Sequence, residues 1–137
     1  MHATAHQVSA LIRTDPDDMG KHVVRLFLTA WQDQNVLAPL SAMIRSVFSD
    51  EGAADALRQF LATHMLGPLV AASRRDRPDV RVALAASHLA GLAIGRHILG
   101  VAPLAKADIE QLGACVAPVI QHYPTGKLPA VVAARAD

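Results

Sequence analysis

Val82-Ala83-Leu84-Ala85-Ala86-Ser87-His88-Leu89-Ala90-Gly91-Leu92-Ala93-Ile94-Gly95 is a run of fourteen residues without a charge. It lies inside a longer stretch that reads as one helix. Pro78 suits the first helical turn, where a missing N–H leaves no bond unmade. Gly100 suits the stop just beyond Leu99. The predicted helix therefore runs from Pro78 to Leu99. Wound at about 3.6 residues per turn, the uncharged run is apolar or small on nearly every face. Such a helix has to be covered on all sides. It is too short to cross a bilayer, which takes about 20 mostly apolar residues, so its cover must come from protein.

The sequence on either side is also helical in its periodicity. No long run alternates with period two, and no Asn-Gly or Asp-Gly pair signals a hairpin. An all-α fold of about five helices is expected. The first starts near Asp15, a candidate N-cap followed by Pro16 and the acidic Asp17 and Asp18. Met19, Val23, Leu26, Phe27, Ala30 and Trp31 share one face of it, and the helix should stop near Asp33-Gln34-Asn35. A second helix is expected from Ala38 to Phe48, with Pro39 in its first turn and Leu40, Met43, Ile44 and Val47 as its stripe. Ser49-Asp50 caps a third, whose apolar face is Leu57, Phe60, Leu61, Met65 and Leu69, with a kink or break at Gly67-Pro68. The helix from Pro78 is the fourth. In the fifth, Asp108 followed by Gln111 resembles a capping box. Ile109, Leu112, Val116, Val119 and Ile120 form its stripe, and Pro118 should kink it or end it early. A length of 137 residues suggests one domain. It is expected over residues 14–126, after a poorly defined remnant over 1–13 and before a tail over 127–137. Five short helices leave few partners to cover the fourth.

Composition excludes several classes. With 52% hydrophobic residues and a net charge of +1, most of the chain cannot be disordered. Cys115 is the only cysteine, so there is no disulfide scaffold. Thirteen Lys and Arg nearly balance twelve Asp and Glu, so bulk charge gives no reason to expect tight phosphate-backbone binding. The first residues lack a basic segment leading into a long apolar core, so no signal peptide is read there. A soluble cytoplasmic protein is the expectation.

Catalytic signatures are missing. There is no HExxH, paired CxxC, GxSxG or phosphate-binding glycine loop, and the carboxylates cluster at helix starts, where capping explains them. No catalytic residue, metal ligand or cofactor is expected. Gly91 and Gly95 form a GxxxG that allows close backbone approach, either within the chain or to a second subunit. His64, His88 and His97 lie on the most apolar helices. Each is either a hydrogen-bonded histidine, buried or at an interface edge, or a polar group set in an apolar cavity to orient a ligand. Cys115, with no base or cation adjacent, reads as an inert buried thiol. Arg74-Arg75-Asp76-Arg77-Pro78 reads as a solvated turn. Phe27, Trp31, Met43, Phe60 and Met65 are either core or a pocket lining.

Four segments then resemble one family in the same order. His22-Val23-Val24-Arg25-Leu26-Phe27-Leu28-Thr29-Ala30-Trp31 is similar to the opening of the TetR/AcrR-type regulator C-terminal domain. Leu57-Arg58-Gln59-Phe60-Leu61 with Leu66-Gly67-Pro68-Leu69, then Ala85-Ala86-Ser87-His88-Leu89-Ala90-Gly91-Leu92-Ala93, then Pro103-Leu104-Ala105 leading to Val116-Ala117-Pro118 look like later parts of it. The resemblance implies an all-helical domain whose last two long helices pair with their copies in a dimeric four-helix bundle. Leu84, His88, Gly91, Leu92, Gly95, Ile98, Leu112, Val116 and Val119 would carry that contact. It also implies a pocket for a small apolar or amphipathic ligand, with Phe27, Trp31, Met43, Phe60, His64 and His88 as candidates. Full-length relatives bind operator DNA and release it when the ligand binds. The N-terminal helix-turn-helix of such regulators has no counterpart in residues 1–13, so this chain is not expected to bind an operator by itself. Two alternatives stand beside this reading: a truncated helical protein that forms mixed dimers, and a small metal or enzyme domain using His64, His88 or His97.

Overall fold

The computed structural model describes residues 15–60, 62–63 and 74–130. Among them there is no strand. A single 3-10 turn, Pro16–Asp18, leads into α1 (Met19–Ala30). Next come α2 (Gln34–Val47), α3 (Glu51–Phe60) and α4 (Pro78–Ala93). A π-helical turn, Ile94–Ile98, continues α4, and α5 (Ala102–Ala105) and α6 (Ile109–Thr125) complete the order. The kink expected at Gly67-Pro68 lies outside the described residues, as do Leu61, Met65 and Leu69.

Local signals set most of the boundaries. The Asp15 carboxylate accepts from the Asp17 N–H at 3.0 Å, which fixes the entry to the first turn. Asp108 caps α6, accepting from the Gln111 N–H at 3.2 Å. Gly100 sits at φ +65°, the left-handed conformation in which glycine is least strained. Two boundaries differ from expectation. α2 begins at Gln34 rather than Ala38, because Asp33 is itself an N-cap and accepts from the Asn35 N–H at 2.9 Å. The polar triplet that ends α1 also starts α2, and Pro39 falls inside the helix. α6 runs through Pro118 to Thr125, so of the kink and the early end expected there the early end does not occur. Pro118 and Ala114 are both exposed, so the carbonyl that loses its helical donor can turn to water.

The core lies where α1 and α4 meet α6. Val24, Leu28, Leu89, Leu112, Ala117 and Ile120 are its buried members. Along α1 the fully buried line is Gly20, Val24, Leu28 and Trp31. The predicted stripe is therefore rotated: Met19, Val23, Leu26, Phe27 and Ala30 flank that line half-buried. Gly20 explains the rotation. A Cβ there would sit 2.6 Å from the Ala117 carbonyl oxygen and 2.8 Å from the Gln121 nitrogen, both backbone atoms. Its N–H also donates to Gln121 Oε1. α1 and α6 thus approach closely at Gly20, and neither Gly91 nor Gly95 of the α4 GxxxG takes part in that contact. α2 and α3 pack on each other, with Phe48 80% exposed at the end of α2.

The segment after α6 is tied down as far as it is described. Leu128 is buried, and Arg77 donates to the carbonyls of Leu128 and Pro129 at 3.1 and 2.9 Å. Within the expected tail over 127–137, Leu128 and Pro129 are thus held against the turn before α4.

Candidate functional site

Three groupings of side chains stand out among the described residues. The first is aromatic. Trp31, only 5% exposed at the end of α1, stacks on the His97 ring with centroids 5.1 Å apart and planes 11° from parallel. Phe27, one turn back, meets Trp31 at 6.0 Å in a tilted pair. The π-helical turn presents His97 to this stack. In that turn the Leu99 N–H donates to the Ile94 carbonyl, five residues back, at 2.8 Å. Arg96 holds the turn down, donating to the carbonyls of Leu104 and Ala107 at 3.0 and 3.1 Å. Burial pushes the His97 imidazole below its ordinary value, and the neighbouring Arg96 charge adds to the shift.

This arrangement predicts a pH response. A histidine with a depressed folded value is neutral in the fold, so the unfolded chain takes up the proton first as pH falls. The contribution to stability is complete above about pH 6.5 and declines as pH drops below it. Trp31 is the only tryptophan and reports directly. Its fluorescence is expected to titrate with a midpoint below 6.5 and to lose that transition in His97→Gln. A midpoint at or above 6.5 would contradict the burial.

The second grouping joins α4 to α6. His88 Nδ1 and the Tyr123 hydroxyl are hydrogen-bonded at 2.9 Å, with ring centroids 5.6 Å apart. His88 is exposed and Tyr123 half-buried. Around them the outward face of α4 consists of Ala83, Leu84, Ser87, His88, Ala90 and Gly91. That of α6 includes Ala114, Cys115, Pro118 and Val119, so the thiol expected to be buried is exposed, on the side of α6 away from the core line of Leu112, Ala117 and Ile120. None of these carries a fixed charge.

The third is a guanidinium knot at the other end of α4. Arg81 is 2% exposed. It donates to the Asp76 carbonyl at 2.8 Å and carboxylate at 2.9 Å, to the Tyr123 carbonyl at 2.8 Å and to the Gly126 carbonyl at 2.6 Å. It thereby satisfies carbonyls at the C-terminal end of α6, where a cation is favoured. Its hydrogen bond and that of Arg77 hold the exposed Asp76 carboxyl below the ordinary carboxylate range. The stretch read as a solvated turn is thus partly structural. Beside the knot is an open cleft of about 570 Å³, lined by Arg75, Asp76, Arg77, Arg81, Lys127, Leu128 and Ala130.

Of the six expected ligand residues, the four whose side chains are described, Phe27, Trp31, Met43 and His88, do not line this cleft. Phe27 and Trp31 come together, and His97 stacks on Trp31. Met43 is exposed on α2. His88 turns to Tyr123 on the α4–α6 face. The Phe60 side chain and His64 lie outside the described residues. Of the nine expected interface residues, Leu84, His88, Gly91 and Val119 are exposed, while Leu92, Ile98 and Val116 are half-buried. Leu112 and Gly95 are used within the chain. Leu112 belongs to the core, and a Cβ on buried Gly95 would lie 3.0 Å from Leu104 of α5. Gly91 has open space around it. The two glycines of the GxxxG therefore serve different surroundings.

The sequence reading missed Arg81, Tyr123 and the His97–Trp31 stack. The available signal was Arg81 itself, the last charge before the uncharged run, placed inside the predicted helix beyond its first turn. Among the described residues no group of His, Cys, Asp and Glu could hold a metal ion, and no helix is long and apolar enough to cross a membrane.

The model of the tetracyclin repressor-like, C-terminal domain matches residues 17–123. The chain belongs to this family. The matched span begins in the 3-10 turn and ends at Tyr123, so it contains the core, the aromatic stack and the His88–Tyr123 pair. No curated protein and no solved structure matches the chain. The tetracyclin repressor-like domain accounts for the all-helical architecture. The basic cleft extends past the matched span, at Lys127, Leu128 and Ala130.

Proposed function

We propose that this chain is the ligand-sensing and dimerisation domain of a cytoplasmic transcriptional regulator of the TetR type, and not an enzyme. The observation that carries the reading is the outward face of α4 and α6. Two neighbouring helices of one domain turn Leu84, His88, Gly91, Cys115 and Val119 toward solvent with no fixed charge among them. Solvent-facing helix surfaces are ordinarily charged. A second copy laid on this face would bury it in a four-helix bundle made from two subunits, an isologous contact. Operator contact in such regulators is the work of a helix-turn-helix, and the matched span is the C-terminal domain alone.

Sensing follows if a ligand binds one arrangement of the two subunits better than another. The Phe27–Trp31–His97 stack is the part of the domain best suited to report an apolar or amphipathic ligand. Displacing His97 from Trp31 would shift the π-helical turn that ends α4. A thermal-shift panel of small apolar and amphipathic compounds tests the sensor. A true ligand at about 100 times its Kd is expected to stabilise the fold by about 2.7 kcal/mol and to change Trp31 fluorescence. A panel in which no compound does either would favour a protein that only associates, forming mixed dimers with relatives.

A further inference from the structure

The outward face of α4 and α6 carries an exposed imidazole, His88, between Leu84 and Gly91. Among the described residues its polar partner is the Tyr123 hydroxyl, 2.9 Å from Nδ1. That bond survives a change of charge. A neutral ring accepts the phenol proton at Nδ1, and a protonated ring donates to the phenol oxygen instead. The folded subunit therefore tolerates His88 in both states. A phenol does not neutralise an imidazolium as a carboxylate would, and the surrounding groups supply no free carboxylate. On α4, Asp79 lies about 13 Å along the axis from His88, and Arg81 is turned to Asp76 and the backbone. In the π-helical turn Arg96 donates to carbonyls and His97 stacks on Trp31. On α6, Glu110 pairs with Arg25 of α1 at 3.6 Å. Cys115 and Tyr123 bring no carboxylate. His122, tilted against Tyr123 with centroids 6.3 Å apart, can add only positive charge.

We propose that protonation of His88 opens the subunit contact: two copies pair through this face while His88 is neutral and separate when it becomes an imidazolium. The inference rests on the reading of this face as the dimer contact and adds its regulation. An isologous contact repeats every group, so two imidazolium groups would enter one interface without fixed negative charge. Burying a charge without a partner is costly, and histidine is the side chain whose charge ordinarily changes between about pH 5 and 8. In the free subunit His88 stays in water. Protons are therefore taken up on dissociation, and the dissociation constant rises as pH falls. One pH unit below the ordinary imidazole midpoint, one proton per subunit multiplies that constant about tenfold for each copy, or about a hundredfold for the pair.

Sedimentation of the whole chain at about pH 8 and about pH 5.5 tests the switch, with far-UV circular dichroism at both values to follow the fold. The wild type is expected to dimerise at the higher pH and to show a dissociation constant about a hundredfold larger at the lower, with its helical signal retained. His88→Gln keeps a polar side chain that does not titrate. Whatever its own affinity, its ratio between the two conditions should fall below about tenfold. A wild-type ratio near one, or a dimer that is tighter in acid, overturns the switch and leaves the contact standing. The same large ratio in His88→Gln also overturns it. A wild type that stays a single chain at about pH 8 overturns the contact itself and the switch with it.

Discussion

Arg81→Met is expected to cost about 3–5 kcal/mol of stability, the range for losing one side of a buried charged network. Methionine fills much of the same space but supplies no donor. The carbonyls of Asp76, Tyr123 and Gly126 would lose the guanidinium that now bonds each of them, and an unsatisfied buried acceptor costs about 1–3 kcal/mol. Arg81→Lys should restore little, because one ammonium cannot reproduce a fork that reaches two chain segments. Urea denaturation followed by circular dichroism measures the effect as a lowered midpoint at unchanged slope. A loss below about 1 kcal/mol would mean that water replaces the guanidinium. Asp76, on the exposed side of the same knot, gives a smaller effect with a defined pH sign. Its folded value is lowered, so its contribution is present above about pH 4 and is lost as pH falls through the folded value. Asp76→Asn should remove that acid dependence.

Leu84→Glu combined with Val119→Glu is expected to abolish self-association and leave the subunit folded. Both side chains are partly open to solvent in the single chain, at 36% and 43% exposure, so the substitutions need not disturb its core. In a paired bundle they would bury four carboxylates on a face that offers no fixed positive charge. Charge left unpaired at an interface costs several kcal/mol, which raises the dimer dissociation constant by about a hundredfold or more. Gly91→Leu is the milder companion, since open space surrounds Gly91 within the chain. Gly95→Leu is the wrong probe, because its side chain would strike Leu104 before it reached a partner. Concentration-dependent sedimentation of the double variant provides the readout. Association equal to that of the wild type would move the interface elsewhere.

What could be read from the sequence divides along one physical line. Features whose partners lie within a turn were legible: the Asp108 cap reaching the Gln111 N–H, the stop at Gly100 and the start of α3 after Asp50. Features whose partners lie far along the chain were not. Gly20 looked like an ordinary residue of an amphipathic helix, because its contact is with Ala117 and Gln121. Arg81 drew no reading of its own, because the carbonyls it satisfies include those of Tyr123 and Gly126, more than forty residues away. His97 and Trp31 were each noticed, but nothing local says that they stack. Even the rotated stripe of α1 follows from the missing Cβ at Gly20, which lets α6 approach on that side. Of the residues expected to line a pocket, Phe27 and Trp31 meet, Met43 and His88 lie on other faces, and Phe60 and His64 fall outside the side chains described.

The uncharged run of α4 remains the feature that most constrains the account. Its inner side is closed by Leu89 and Ala93 in the protein core, and its outer side carries Leu84, His88 and Gly91 at the surface. The most direct test is the mass of the purified chain in solution, by size exclusion with light scattering across micromolar concentrations. The account predicts a particle of twice 14.5 kDa that falls to the single-chain mass in the Leu84→Glu/Val119→Glu variant. A wild-type protein that stays at 14.5 kDa throughout that range would contradict it.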